Sequence, residues 1–347
     1  MPSMRPGGAR LRFGVIGCGA VTERYHLPSL AASAEVELVG FADAMPARAA
    51  ELAARVGTGR GVGDYRELIG GIDAALVAVP NAWHEPIAVD LLDAGIHVLV
   101  EKPMARTTAE CDRMLAAAER GRAVLAVGHD FRHFPVARYA RDFFTAGLLG
   151  PILRVDLRQS AGGRWPYAST AVLSPTAGGG VLLDFGVHLF DLLLWWLGPI
   201  EPVHYRDDAE GGVESECEGE LLVRGRAPFH LEVSRSRTLR DTVIVEGERA
   251  TLEIGVFEPA VVRLTPRGGA TLAGTAPDPR FERAPLRTVF DRQLADFIAA
   301  VRGRGAPLVG GAEARQAVAL VEACYARRES LRWPWSWPEA RAAATAR

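Results

Sequence analysis

Asp184, His188 and Asp191 interrupt an otherwise apolar run, Gly178-Gly179-Gly180-Val181-Leu182-Leu183-Asp184-Phe185-Gly186-Val187-His188-Leu189-Phe190-Asp191-Leu192-Leu193-Leu194-Trp195-Trp196-Leu197. At 100° per residue these three and Trp195 fall on one helical face, while Val181, Leu182, Leu189, Leu193 and Trp196 cover the rest. A helix that is apolar nearly all round is buried, and a buried carboxylate or imidazole needs partners. The polar stripe therefore faces either a satisfied network or a cavity for a polar ligand, and the cavity is the expectation. The run is nearly long enough to span a bilayer, but ionisable groups near its middle argue against that. A metal on Asp184 and His188 would need a third and fourth ligand, and none stands at recognisable spacing.

The segments before this run supply a second set of polar groups and the elements to place them. Leu11 to Ile16 reads as a buried strand, Gly17-Cys18-Gly19-Ala20-Val21-Thr22 turns the chain, and a helical pattern follows to about Ala32. In that context Gly17 allows a tight turn, Gly19 lets a pyrophosphate approach, and the amides at Ala20 and Val21 open the helix. Thr22 stands where a third glycine would be and limits how closely helix and strand can pack. A second strand, Val36 to Ala42, ends at Asp43, about where a ribose-binding acid belongs. Asp43 could equally cap the helix that begins near Pro46. A carboxylate there repels a 2′-phosphate and favours NAD over NADP, whereas Arg48 could pair with that phosphate.

Further strands (74–79, 96–100, 123–127) alternate with helices (85–94, 107–120), the pattern of a parallel sheet covered on both faces. Pro80-Asn81-Ala82-Trp83-His84 and Glu101-Lys102-Pro103 follow two of these strands, at the carboxyl ends where ligands of such sheets bind. His26 and His84 line that cleft or satisfy local backbone. Beyond Gly128 the character changes. A helix over 134–146 is followed by strands (152–159, 218–224, 229–235, 242–246, 250–254, 260–264) without intervening helices, which suggests an antiparallel or mixed sheet. Residues 161–176 form a long loop carrying Arg164, Trp165 and Tyr167, and loops of that length tend to be functional or disordered. Asp207 to Glu220 reads as an acidic, solvated connection. Helices over 288–302 and 312–327 should pack back on the body.

A chain of 347 residues exceeds a typical single core, so two domains are expected. The boundaries drawn are a flexible tail at 1–10, a first domain at 11–130 and a second at 131–347. A hydrophobic fraction of 48% and a charged fraction of 24% are those of an ordinary globular protein. A formal net charge of −2 gives no electrostatic footprint for nucleic acid or an anionic membrane. Cys18, Cys111, Cys217 and Cys324 form neither a CxxC pair nor a dense framework, which suggests a reducing compartment. The opening Met1 to Arg10 lacks the apolar core of a signal peptide. Cytoplasm is the expected location.

The glycine turn, Asp43, Pro80-Asn81 with His84, Glu101-Lys102-Pro103, and the later Gly178-Gly179-Gly180 with Asp184-Phe185-Gly186-Val187-His188 together resemble the glucose-fructose oxidoreductase / inositol dehydrogenase / rhizopine catabolism (Gfo/Idh/MocA) family. The resemblance runs across nearly the whole chain. It implies an α/β Rossmann N-terminal domain, an α+β C-terminal domain with an open, mostly antiparallel sheet, and a nicotinamide at their junction. It implies homodimers or homotetramers through that sheet, whose uncovered face also needs a partner on physical grounds. It assigns Lys102, Asp184 and His188 to the catalytic positions. His188 would be the acid–base group, Lys102 would place a positive charge by the reacting oxygen, and Asp184 would orient the imidazole or accept from a neighbouring hydroxyl. A sugar, polyol, cyclitol or nucleotide-linked sugar would be the substrate, with Arg132, Arg164, Trp165 and Tyr167 as further contacts. Arg132 could instead only pair with an acid, and Asp191 is read as a structural partner. Two other functions compete: a non-catalytic dinucleotide sensor, and an NAD-dependent glycosidase that uses transient oxidation.

Overall fold

The computed structural model describes residues 9–161, 179–209, 212–255, 261–275 and 285–331. Arg164, Trp165, Tyr167 and Gly178 lie outside them, as does the tail up to residue 8. Strands β1 (Leu11–Ile16), β2 (Val36–Ala42), β3 (Arg60–Val62), β4 (Ala74–Val77), β5 (His97–Val100) and β6 (Leu125–Val127) alternate with helices α1 (Leu27–Ala32), α2 (Pro46–Val56), α3 (His84–Asp93) and α4 (Thr108–Gly121). The strands form one wholly parallel sheet in the order β3-β2-β1-β4-β5-β6. Such strands are buried on both faces, which is why β4 reads Ala-Ala-Leu-Val without alternation and is buried at all its positions. The order reverses between β1 and β4, so the glycine turn after β1 and Pro80-Asn81 after β4 flank one crevice.

After α5 (Pro135–Thr145) the chain enters a nine-stranded sheet: β7 (Ile152–Ser160), β8 (Ile200–Asp207), β9 (Glu216–Val223), β10 (Ala227–Ser234), β11 (Thr242–Gly247), β12 (Ala250–Gly255), β13 (Val261–Pro266), β14 (Leu272–Thr275) and β15 (Arg328–Ser330). Its order is β14-β13-β12-β11-β7-β10-β9-β8-β15, with β7–β10 and β8–β15 parallel and the other pairs antiparallel. These strands alternate. Val155, Leu157, Phe229, Leu231, Val243 and Val245 face a core closed by α5 and α6 (Val187–Leu197). The opposite face carries Arg154, Asp156, Arg158, Glu218 and Glu253.

The two helices near the end of the described chain, α7 (Pro285–Val301) and α8 (Gly311–Tyr325), pack back on the body, and they do so on the first sheet. Leu294, Phe297 and Ile298 of α7 share a core with Phe13, Val15, Leu27 and Leu52, and Phe297 meets Phe13 edge to face at 6.2 Å. Helix α8 is shared: Ala314 and Val318 join the core under α3 and α4, while Leu320, Val321 and Cys324 join that of the second sheet.

The expected solvated loop between Asp207 and Glu220 is a correction. Strand β9 begins within it at Glu216, and Asp207, Glu214 and Glu216 are buried. Each carboxylate has found donors. Arg328 binds Asp207 at 2.6 Å, Arg237 and Ser234 bind Glu216 at 2.9 and 2.5 Å, and the Tyr325 hydroxyl donates to Glu214 at 2.6 Å. The short strands β3, β14 and β15 and the charged strand β8 also lay outside the expected set.

Candidate active site

Two of the helices that frame the cleft start with a wide π turn, at Thr22–His26 ahead of α1 and at Leu182–Gly186 ahead of α6. A π turn holds one extra residue and recurs at functional sites. At the first, the Thr22 hydroxyl donates to the Gly17 carbonyl at 2.7 Å, and Thr22 is fully buried. The residue expected to loosen the helix against the strand instead ties the helix to the glycine turn.

That turn fits a pyrophosphate. Gly17 has φ +93°, and a Cβ there would lie 2.1 Å from the Ala78 carbonyl oxygen, so only glycine fits. A Cβ at Gly19 would meet nothing within 4 Å, which leaves the approach to the Ala20 and Val21 amides open. Asp43 accepts from the Cys18 amide through Oδ2 and from the Met45 amide through Oδ1, both at 2.8 Å. It therefore joins the glycine turn to the start of α2, and each oxygen keeps a second lone pair for a ribose hydroxyl. The donors of Arg48 are taken by Glu51, Glu23 and the Cys18 carbonyl.

Across the crevice, Pro80 and Asn81 open a short 3-10 turn after β4. His84 is fully buried, and each ring nitrogen lies 2.8 Å from a main-chain carbonyl, that of Pro103 or that of Val79. It satisfies backbone and sets the loop carrying Lys102, whose peptide bond to Pro103 is cis. Glu101 is committed to His26 at 2.6 Å and to the Lys102 amide at 3.1 Å. Burial opposes its charge, but the His26 hydrogen bond prevails and holds its carboxyl below the usual range.

Lys102 spans from β5 to the second sheet's helix. Its Nζ donates to the Asp184 carbonyl at 2.7 Å and to Asp184 Oδ1 at 3.0 Å, and Arg235 donates to Oδ2 at 2.8 Å. Burial disfavours the ammonium, yet Asp184 and Glu101 outweigh it and raise its pKa. The start of this helix is fastened by Glu214, whose Oε1 accepts from the Leu182 amide at 3.0 Å and whose carbonyl accepts from the Val181 amide at 2.9 Å. A Cβ on Gly180 would sit 2.0 Å from that carboxylate. This explains one glycine of the triplet. Glu214 escaped the sequence reading because it stands among acids that look solvated.

His188 lies one turn on and is 6% exposed. Phe131 stacks on its ring at 4.5 Å and His129 meets it edge-on at 5.5 Å. Burial, then Lys102 and His129, hold its pKa well below the usual histidine value. Lys102 and His188 thus share one electrostatic environment at the junction of the two sheets. The expected orientation of His188 by Asp184 is not what the geometry shows. Among the described residues the carboxylate at ion-pair distance from His188 is Asp130, with Oδ1 3.5 Å from Nδ1. The carboxylate of Asp184 is engaged instead by Lys102 and Arg235. Arg132 is a further correction. It is 3% exposed and gives two 2.7 Å hydrogen bonds to Asp191, plus one to the Leu308 carbonyl, so its guanidinium serves the interior and not the cleft.

Comparison with known proteins gives the same picture. A profile of the Gfo/Idh/MocA oxidoreductase family, NAD-binding Rossmann fold, matches residues 11–129, and the family's C-terminal domain profile matches 137–253. The rhizopine catabolism protein MocA of Rhizobium meliloti is 33% identical over 57% of this chain, a match that spans 60% of that protein. A protein of Amycolatopsis mediterranei named "putative UDP-kanosamine synthase oxidoreductase subunit" is 30% identical over 93% of this chain and 97% of its own. The WlbA dehydrogenase of Bordetella pertussis, solved with NADH and UDP-GlcNAcA, superposes with TM-score 0.79 at 22% identity, covering 92% of this chain and 96% of that one. Matched in both halves by the family's own profiles, and along nearly its whole length by a relative, this chain belongs to the Gfo/Idh/MocA family of NAD-binding Rossmann-fold oxidoreductases.

Proposed function

We propose that this protein interconverts a secondary alcohol and a ketone on a sugar, cyclitol or nucleotide-linked sugar, with NAD as the preferred cofactor. The observation that carries the reading is the reach of Lys102, from the nucleotide-binding sheet, to Asp184 on the other sheet's helix, within the field of His188. The nicotinamide, when bound, supplies the hydride acceptor or donor. His188 takes the hydroxyl proton in oxidation and returns it in reduction, through Nε2, the nitrogen turned away from Asp130. Lys102 places its charge beside the oxygen as that oxygen becomes alkoxide-like. Gly17, Gly19, Ala20 and Val21 would cradle the pyrophosphate, with Asp43 at the ribose. Pro80, Asn81 and Glu101 shape the walls. The engagement of all of Arg48's donor nitrogens supports NAD over NADP, since a 2′-phosphate would have to displace Glu23 or Glu51.

A cytoplasmic homodimer or homotetramer that pairs through the second sheet is part of the same proposal. The sheet's outer face carries ion pairs such as Arg158–Asp156 at 3.1 Å, Arg206–Glu218 at 3.2 Å and Arg240–Glu253 at 3.0 Å, so the interface would be polar and salt-sensitive.

The test is a panel of sugars, inositols and nucleotide sugars with NAD and NADP, followed by absorbance of the reduced cofactor. Lys102→Ala and His188→Ala should each lower turnover about a hundredfold or more while leaving NAD affinity nearly intact. Unchanged turnover in both variants removes the mechanism.

A further inference from the structure

We infer that Asp130 is the carboxylate through which His188 works: it fixes the ring with Nδ1 inward and supplies the counter-charge when Nε2 takes the substrate's proton. Asp130 is thus a positioning residue, and the inference rests on the reading of this site as an alcohol–ketone oxidoreductase.

Asp130 stands just after β6, at the start of a 3-10 turn over Asp130–His133, with its side chain 13% exposed. His188 Nδ1 is buried and has no hydrogen-bond partner among the described residues, and Asp130 Oδ1 faces it at 3.5 Å. That is long for a hydrogen bond. Such contacts are long in an unloaded site and tighten when it is loaded. The neighbours leave the ring little other freedom, with Phe131 flat against it and His129 at its edge.

Asp184, the acid one turn away, is occupied by two cations, Lys102 on Oδ1 and Arg235 on Oδ2. An imidazolium formed beside Lys102 in a buried site is opposed by burial and by like charge. A negative group on its inner side has to offset both. In oxidation the substrate O–H bond breaks, and the proton joins the Nε2 lone pair. The pair left on oxygen becomes the carbonyl bond as hydride departs, while Nδ1–H donates to Asp130. Reduction runs the same proton back.

The charged groups around this pair come from three elements. The end of β5 gives Glu101, held by His26, and Lys102. The turn after β6 gives His129 and Arg132. The helix gives Asp184 and Asp191, with Asp191 closed on Arg132. Burial, reinforced by Glu101, pushes the Asp130 carboxyl up to about 7, so its ionisation falls in the working range. Oxidation should therefore rise with pH through that region, because only the ionised form can hold the imidazolium.

The test is nitrogen-15 NMR of histidine-labelled, NAD-saturated protein, with the His188 signals assigned by their loss in His188→Gln. The neutral Nδ1–H form is expected, with both ring nitrogens showing a step near pH 7. Asp130→Asn should abolish that step and the matching step in the pH–rate profile, and lower turnover of the panel's substrate about ten- to a hundredfold. A wild-type ring in the Nε2–H form, or a step that survives in Asp130→Asn, overturns the inference. The wild-type spectrum decides alone if the variant does not fold. Full turnover by His188→Gln would remove His188 as the acid–base group and the inference with it, whereas no turnover of any panel substrate by the wild type would sink the oxidoreductase reading itself. An inactive His188→Gln beside an unaltered step in Asp130→Asn sinks only the role of Asp130.

Discussion

Asp130→Asn should make the folded protein more stable at neutral pH, by an amount that grows with pH. The Asp130 carboxyl is 13% exposed and is held at about 7 by burial and by Glu101, against an ordinary value of 3.8. For a carboxyl raised on folding, both states are protonated at low pH and the group contributes nothing. Between the two pKa values the unfolded chain ionises while the folded one keeps its proton, so stability falls as pH rises. Above about 7 the penalty is constant. At 1.36 kcal/mol per unit, the cost is about 2 kcal/mol at about pH 5 and about 4 kcal/mol at about pH 8. Asparagine has the same shape, does not ionise and can still accept from the local amides. The difference between variant and wild type should therefore widen by about 3 kcal/mol over that interval, the rise accumulated over the two units between about pH 5 and about 7. Urea unfolding followed by tryptophan fluorescence at both pH values measures it, since all other titrations cancel in the comparison. An identical gap at the two pH values, or a variant less stable at the higher one, refutes the claim that this carboxyl is buried beside another acid.

Two further substitutions test the scaffold around the site. Asp43→Ala should weaken NAD binding and relax discrimination against NADP, by removing an acceptor for ribose together with the hydrogen bonds to Cys18 and Met45; an unchanged cofactor preference in titration would leave Asp43 with only its role in the turn. Arg132→Ala should destabilise the protein by about 3–5 kcal/mol by stranding buried Asp191, with much of that recovered in Arg132→Met/Asp191→Leu; chemical denaturation showing equal losses in the single and double variants would contradict it.

The sequence made the first sheet legible because parallel strands buried on both faces leave unbroken apolar runs, as Val98 to Val100 does, and because a turn such as Gly17-Cys18-Gly19 admits few readings. Lys102, Asp184 and His188 were legible as a set through resemblance. What joins them was not. The bonds between Arg132 and Asp191, 59 residues apart, and between Leu182 and Glu214, 32 apart, depend on tertiary approach that no local pattern records. Glu214 is acidic in an acidic stretch, and composition made it look wet. That Asp184 is held by Lys102 and Arg235, 82 and 51 residues away, and that Asp130 stands 3.5 Å from His188, depend on the same kind of approach. The strands β3, β14 and β15 are too short for alternation to register.

The seat of the Lys102 ammonium on Asp184 bears on selectivity in time. A neutral hydroxyl arriving in the cleft cannot compete with a carboxylate and a carbonyl for that ammonium, and so gains little from it on entry. In the proposed reaction an oxygen turning anionic could compete, and the lysine's allegiance would shift toward it as the negative charge accumulates. The attraction would thereby be withheld from the resting guest and released at the summit of the barrier, where it would accelerate the reaction rather than tighten the grip on what has yet to react.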